Sequence, residues 1–153
     1  RYPDTNNGGR WKSTNPRAEI KEMDKANKMS NKNLKHLCRM IRSWNYFNGV
    51  GLPGDLIDST CYHFIKSRDC DGVSYSYYDW MCRDYFKYVV NNENRKIWSM
   101  PGSNRNVDMA SNMSYHAKRA YNLALQAIEY ARNDRVYTSC LKWREVFGTK
   151  FPG

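Results

Sequence analysis

Three cations at helical spacing are the side chains of this sequence best suited to chemistry on an anion. Lys35, Arg39 and Arg42 stand at i, i+4 and i+7, so a helix over this stretch places them in one line along its surface. Together they would neutralise a triphosphate, and each guanidinium offers two parallel hydrogen bonds to a phosphate. We expect them to bind nucleotide phosphates; the alternative is the ordinary solvated flank of an amphipathic helix.

Two aromatic residues near the N-terminus are candidates for contact with a nucleobase. Tyr2 and Trp11 lie on either side of a turn signal at residues 6–9, NNGG. Aromatic rings on such a ribbon can stack on a base. The alternative interpretation is that they pack the ribbon onto neighbouring helices.

The sequence contains no complete catalytic or metal-binding set. Asp69 and Asp71 are spaced like the paired carboxylates of a two-metal site, but such pairs are common in loops. Asp108 follows residues 102–103, GS, yet Ala110 stands where a second carboxylate would be needed. The histidines lie in separate predicted helices with no motif around them: His36, His63 and His116. We therefore expect no catalytic residue and no metal ligand in this chain.

Composition favours one folded domain with an anionic partner. The chain has 153 residues, of which 41% are hydrophobic and 14% aromatic, and these values exclude a disordered tail. The formal net charge of +10 favours nucleotides, nucleic acid or another anionic surface as partner.

Cysteine usage and hydropathy bear on the compartment. The five cysteines are odd in number and form no CxxC pair, which favours a reducing, cytoplasmic setting. No apolar run approaches the roughly 20 residues of a membrane span, so we expect no membrane partner. Because the chain begins at Arg1, we expect it to be part of a longer protein.

Helical periodicity begins at residue 16 and is preceded by an extended ribbon. Residues 1–15 are predicted as a β-hairpin and residues 16–153 as a helical domain. Pro16 favours a first helix to about residue 29. Ser30 or Asn31 is predicted to cap the next helix, over 34–44, which ends near residues 48–49. The remaining predictions are helices from 53, over 75–90, over 111–133 and over 136–147, the last of which stops at Gly148, with a loop at 101–104.

Apolar stripes on these helices define the expected core, and the fold class is mainly α, a helical bundle. The helix over 34–44 is predicted to bury Leu34, Leu37, Cys38, Ile41 and Trp44. The helix over 111–133 carries a stripe of small residues that lets a neighbour approach closely: Met113, Ala117, Ala120, Ala124, Ala127 and Ala131. The last helix is predicted to bury Val136, Cys140, Trp143 and Phe147.

Several helical segments resemble one group of nucleotidyltransferases, that of cyclic GMP–AMP synthase and oligoadenylate synthase. Residues 37–44, LCRMIRSW, are similar to its LxRxxKxW helix, and residues 52–58, LPGDLID, to the LxSxxLE element that follows. Residues 143–148, WREVFG, with FP at 151–152, resemble its closing WxxFG and FP segments.

The N-terminal ribbon extends this resemblance. Residues 2–4, YPD, 8–11, GGRW, and 14–16, TNP, look like the segment just after the third catalytic aspartate of the same group. The matches therefore follow the family's order from residue 2 to residue 152. The resemblance implies a C-terminal helical domain of the oligoadenylate-synthase type, with a hairpin remnant of the catalytic sheet.

The resemblance also implies a function. Bacterial members of the group make cyclic di- and oligonucleotides from ATP and GTP in anti-phage defence. Their N-terminal domain supplies the glycine–serine motif and three carboxylates that bind Mg²⁺ or Mn²⁺, and this chain has none of these. We expect that domain to be a partner in cis or in trans, and we expect this chain alone to be inactive.

At individual positions the match is partial. Arg42 stands in the place of a family lysine that contacts the triphosphate, which keeps the charge with a different reach. Gly54 and Asp58 replace the family's serine and glutamate. Two alternatives to the nucleotidyltransferase interpretation remain: a nucleic-acid-binding module, and a helical domain whose basic face docks on an acidic protein.

Overall fold

The protein is mainly helical, as predicted. A computed structural model describes the backbone of residues 2–4, 10–12, 16–68 and 78–148, and the side chains of 16–67 and 80–148. Within those residues the elements are β1 (Tyr2–Asp4), β2 (Arg10–Lys12), α1 (Pro16–Met29), α2 (Asn33–Asn48), α3 (Gly54–Arg68), α4 (Tyr78–Asn91), β3 (Ile97–Ser99), β4 (Asn106–Asp108), α5 (Met113–Arg132) and α6 (Val136–Phe147). The strands form two antiparallel hairpins, β1–β2 and β3–β4.

The helix boundaries largely match the prediction. α1 begins at Pro16, and α2 ends at Asn48 and is followed by Gly49, whose φ of 60° lies in the left-handed region where glycine is unstrained. α4 is described from Tyr78, and the earlier residues predicted for it lie outside the described part of the chain.

Ser30, one of the two predicted caps of α2, supplies a capping hydrogen bond, although Lys32 occupies the position directly before the helix. Lys32 has a left-handed conformation, with φ of 67°, and makes no side-chain cap. The Leu34 N–H donates to Ser30 Oγ at 3.2 Å, and the Lys35 N–H donates to Asn27 Oδ1 at 3.0 Å. Side chains from the end of α1 and from the turn after it thus satisfy two donors in the first turn of α2, which ties the two helices together.

The core is built around α2. All five residues of its predicted stripe are buried, and Trp44 packs edge-on against Phe86 of α4 with ring centroids 5.1 Å apart. The Asn48 side-chain amide donates to the Val146 carbonyl at 2.8 Å, which joins the end of α2 to α6. This packing leaves one flank of α2 free to face α1 and α3.

The small-residue stripe of α5 is buried as predicted except at its end. The buried members are Met113, Ala117, Ala120, Ala124 and Ala127, and α4 and α6 both pack against this helix. Ala131 is exposed because it lies in the last turn of α5, at the reversal into α6.

The buried residues of α6 differ from the predicted stripe at its first two positions. Val136 is exposed and Cys140 is half-buried, whereas Ser139, Trp143 and Phe147 are buried. Ser139 tolerates burial because its hydroxyl donates to the Ala127 carbonyl at 2.7 Å. Hydrophobic periodicity in the sequence does not predict a polar residue that is buried because of a hydrogen bond to another helix.

The loop predicted at residues 101–104 connects two strands, β3 and β4, that were not predicted. Trp98 pairs with Val107 in its register, and both are buried while Ile97 and Asp108 are exposed. The Trp98 ring lies beneath the Arg95 guanidinium, whose central carbon is 4.1 Å from the ring centroid. Two strands of three residues are too short for their alternation to be recognised from sequence.

The hairpin is anchored on α3 through His63. The ring Nε2 lies 2.9 Å from the Ser99 carbonyl oxygen, which assigns the ring proton to this nitrogen. Partial burial lowers the pKa of His63, and the nearby Arg95 acts in the same direction against the raising effect of the Ser99 hydrogen bond. The imidazole is therefore neutral at pH 7, and it acts here as a tether.

Candidate functional site

A groove of about 610 Å³ brings the predicted cations together. Lys35, Arg39 and Arg42 line it from α2, and α1 contributes Ile20 and Met23. Asp58 of α3 and Met100, which directly follows β3, also line the groove. The site therefore combines a row of cations with apolar side chains in a volume typical of small-ligand pockets.

Arg42 is held by a carboxylate that the sequence places sixteen positions away. Its Nη2 lies 2.8 Å from Asp58 Oδ1. Partial burial acts to lower the pKa of Arg42, but the attraction and hydrogen bond of Asp58 outweigh it and raise the pKa above its ordinary value. The guanidinium stays charged, and one of its five N–H donors faces Asp58.

Lys35 and Arg39 differ in their surroundings. Lys35 Nζ lies 2.9 Å from Asp24 Oδ1, and both side chains are about half exposed, so this pair is weak and screened by salt. Arg39 is exposed and forms no ion pair with a residue that the structure describes. Of the three cations it is the one most readily available to an added anion.

Three carboxylates in the groove were not among the predicted site residues. Asp24 and Asp58 pair with cations of α2, and Glu19 accepts a hydrogen bond from Ser103 Oγ at 2.6 Å. The formal charges of the lining residues therefore cancel, and specific donors rather than a net positive field would have to hold an anion. A line of cations in a sequence gives no sign of carboxylates contributed by other helices.

The tip of the β3–β4 hairpin builds one end of the groove. Arg105 donates from Nη1 to Asp55 at 2.9 Å and from Nε to Glu19 at 3.4 Å, which connects the hairpin to both α3 and α1. The Arg105 and Glu19 side chains are 17% and 14% exposed, so this pair is better shielded from water than the Lys35 pair, whereas Asp55 is 42% exposed. The network fixes the distance between α1 and α3, and hence the width of the groove.

Beneath the cations lies a buried polar layer that is unsuited to nucleophilic chemistry. Cys38 and Cys61 lie side by side under Arg42, and burial is the main reason why the pKa of Cys61 is well above its ordinary value. The Tyr85 hydroxyl is buried and bonded to Thr60 at 2.9 Å, and burial likewise raises its pKa. Both groups stay protonated at neutral pH, so neither Cys61 nor Tyr85 is an activated nucleophile.

The other predicted site residues, Tyr2 and Trp11, cannot be placed relative to this groove from the described residues. β1 pairs with β2 so that Pro3 faces Trp11, but the side chains of Tyr2 and Trp11 lie outside the described residues, so their stacking role stays a prediction. Asp69 and Asp71 also lie outside them. The three histidines lie in α2, α3 and α5, and no cluster of three or more His, Cys, Asp or Glu side chains in the described ranges could hold a metal ion.

Comparison with models of known protein families and with curated proteins gives no match to this chain. Over the residues that the structure describes, no helix has the length and apolar character needed to cross a bilayer.

Proposed function

We propose that this chain is the nucleotide-holding helical wall of a nucleotidyltransferase that makes cyclic di- or oligonucleotides from ATP and GTP. The observation that carries the proposal is the groove, in which Lys35, Arg39 and Arg42 lie beside Ile20 and Met23. A nucleoside triphosphate has the same two halves: a polyanion that needs cationic donors, and a flat base that packs against apolar side chains.

The contacts of Arg42 support the resemblance noted in the sequence. Arg42 and Asp58 stand in two separate segments that resemble the nucleotidyltransferase group, and the fold joins them in one ion pair. A Cβ atom placed on Gly54, where the family has serine, would lie 3.7 Å from Arg42 Nη2. Positions 54 and 58 therefore both adjoin the Arg42 guanidinium at the edge of the groove.

In the proposed reaction, the groove and a separate catalytic domain have different roles. Mg²⁺ or Mn²⁺ on a separate catalytic domain would align a hydroxyl with the α-phosphate of the donor nucleotide. The cations of α2 would hold the triphosphate and stabilise the charge that develops on pyrophosphate. This chain alone would bind nucleotide without turning it over, in the cytoplasm and in the setting of antiviral defence.

Arg39→Glu is the cleanest test of the proposed site. Arg39 forms no ion pair with a residue that the structure describes, so its replacement breaks no ion pair among those residues, while it places a negative charge beside the phosphates. We expect the affinity for ATP and GTP with Mg²⁺ to fall at least about tenfold, as measured by isothermal titration calorimetry, because a charge-assisted hydrogen bond of ~1.5–3 kcal/mol is lost. Arg119→Glu, an exposed position on α5, is the matched control and should bind like wild type.

Two results would contradict the proposal. One is wild-type protein that binds neither ATP nor tripolyphosphate at low salt. The other is an equal loss of affinity in the Arg39 and Arg119 variants, which would indicate general attraction to a basic protein rather than a site.

Asp58→Asn should act in the opposite direction. The amide oxygen can still accept the hydrogen bond of Arg42, so the guanidinium keeps its orientation while a negative charge leaves the site. We expect triphosphate affinity to rise about threefold at low salt, since a like charge near a phosphate costs on the order of 1 kcal/mol at a partly exposed position. The increase should shrink as salt is raised, and unchanged or weaker binding in the same titration would place the phosphates away from Arg42.

A further inference from the structure

Two cysteine thiols meet at the bottom of the groove that the cations of α2 line. Cys38 of α2 is 5% exposed and is itself one of the lining residues, whereas Cys61 of α3 has no exposed surface. A side-chain hydrogen bond joins the two thiols. A small oxidant that enters the groove therefore reaches the sulfur of Cys38 first, and the thiol of Cys61 lies directly behind it.

The packing of α2 against α3 sets this contact. A connection of five residues, 49–53, joins the two helices, and so short a connection makes them antiparallel neighbours. The Arg42–Asp58 ion pair crosses between them. Cys38 lies one helical turn before Arg42, and Cys61 lies about one turn after Asp58. In an antiparallel pair these two shifts point the same way, so both thiols reach the same level beneath the ion pair.

Two other cysteines of the described structure have different surroundings. Cys82 of α4 is fully buried, and its Sγ lies 3.7 Å from Met40 Sδ, a thioether that cannot form a disulfide. Cys140 of α6 is half-buried and so more accessible than Cys38. They serve as internal references, one for burial and one for exposure.

We infer that Cys38 and Cys61 form an oxidation-sensitive dithiol, which closes into a disulfide between α2 and α3 when a peroxide enters the groove. The Cys38 sulfur attacks one oxygen of hydrogen peroxide, the O–O bond breaks, and the thiol proton leaves with the other oxygen as water, so that Cys38 becomes a sulfenic acid. The Cys61 sulfur then attacks the Cys38 sulfur, the S–O bond breaks, and the departing hydroxyl takes the Cys61 proton as a second water. Two thiols and one peroxide thus give one disulfide and two waters, and the peroxide gains both electrons.

The surroundings of the pair suit a reversible reaction. Burial raises the pKa of Cys61, so this thiol keeps its proton until the sulfur beside it has been oxidised. In a reducing compartment a disulfide of this kind is transient, as redox-sensing disulfides are. The alternative is that both cysteines act only as small hydrophobic residues of the core, and it predicts that they react no faster than Cys82.

This inference goes beyond the proposed function and does not depend on it. Disulfide formation is measured without nucleotide, and nucleotide binding is measured on the reduced protein. Either proposal can therefore fail while the other stands.

Peptide mapping of the wild-type protein is the main test. Trypsin places Cys38 and Cys61 in separate peptides, residues 36–39 and 43–66, and Cys140 in a third, residues 136–142. Reduced protein is treated with hydrogen peroxide at neutral pH, blocked with N-ethylmaleimide in denaturant, digested and analysed by mass spectrometry. We expect the first two peptides to become linked at least about tenfold faster than Cys82 is oxidised, and dithiothreitol to release them.

Alanine variants show which sulfur reacts first. Cys61→Ala removes the thiol that closes the disulfide, so Cys38 should accumulate as a sulfenic acid that dimedone traps. In Cys38→Ala the fully buried Cys61 should stay unmodified, and in the matched control Cys140→Ala the disulfide should form at the wild-type rate. Thermal unfolding checks that each variant is folded, and the wild-type peptide map depends on none of them.

Three results would overturn the inference. One is the absence of the linked peptides at a peroxide concentration that oxidises Cys140. Another is oxidation of Cys38 and Cys61 at the same rate as Cys82. The third is dimedone labelling of Cys61 in Cys38→Ala, without labelling of Cys38 in Cys61→Ala.

Discussion

Replacing Gly102 by alanine is expected to lower the free energy of unfolding by about 3 kcal/mol, because left-handed strain and a steric clash add at this position. Gly102 has φ of +85°, and a Cβ atom placed on it would lie 2.2 Å from the Ala18 carbonyl oxygen. Because that atom belongs to the backbone of α1, it cannot move aside as a flexible side chain can. The hairpin tip would have to lift away from α1.

Gly51→Ala separates the two causes. Gly51 has φ of +80°, almost the same as Gly102, but nothing lies within 4 Å of its hypothetical Cβ. We expect this control to lose only about 1 kcal/mol, the cost of the backbone strain alone. Urea denaturation measures both variants, and equal losses would show that the contact between the hairpin tip and α1 contributes nothing.

The Gly102 substitution should also weaken nucleotide binding. Lifting the tip would separate Ser103 and Arg105 from Glu19, so the end of the groove near Met100 would open. We expect triphosphate affinity to fall in Gly102→Ala and to be retained in Gly51→Ala, both measured under conditions where the protein is folded. Retention in both variants would mean that the groove does not depend on the hairpin.

Trp98→Ala is expected to lower the free energy of unfolding by about 4 kcal/mol, the typical cost of removing a large buried aromatic side chain. Trp98 is fully buried, with its ring centroid 5.8 Å from that of His63 and 5.9 Å from that of Tyr88. Its removal would leave a cavity between the hairpin and α3, and Arg95 would lose the ring over which it lies. Denaturant titration followed by circular dichroism measures the change.

Trp80→Ala provides the comparison for Trp98. Trp80 lies on α4, is 44% exposed and contacts Arg83 at 5.6 Å from its ring centroid. We expect a loss below about 1 kcal/mol, because most substitutions at exposed sites have small effects. Similar losses for the two tryptophans would show that the β3–β4 hairpin is peripheral to the core.

The helices were predictable because their signals are local. The buried stripe of α2 and the helix ends at Pro16, Gly49 and Gly148 follow from side-chain spacing and backbone preference within a few residues. Where the prediction of buried residues failed, the burial of a residue depended on a hydrogen-bond partner in another helix. Ser139 is buried because the carbonyl of Ala127, on another helix, accepts its hydrogen bond.

The β3–β4 hairpin shows why short elements are hard to predict. Each strand has three residues, and only Trp98 and Val107 face inward. The stability of the hairpin comes from contacts with α3, α4 and α1 rather than from strand propensity. The residues that make those contacts lie too far apart in the sequence for a local pattern to reveal them.

The line of Lys35, Arg39 and Arg42 was determined by the sequence itself, since helical spacing alone places three cations on one flank of α2. What only the tertiary structure decided is which charges have partners: Asp58 for Arg42, Asp24 for Lys35, and none within the described residues for Arg39. The physical reason is that helical periodicity orders neighbours in one chain segment, whereas ion pairs and pocket walls depend on distances between segments that packing alone sets.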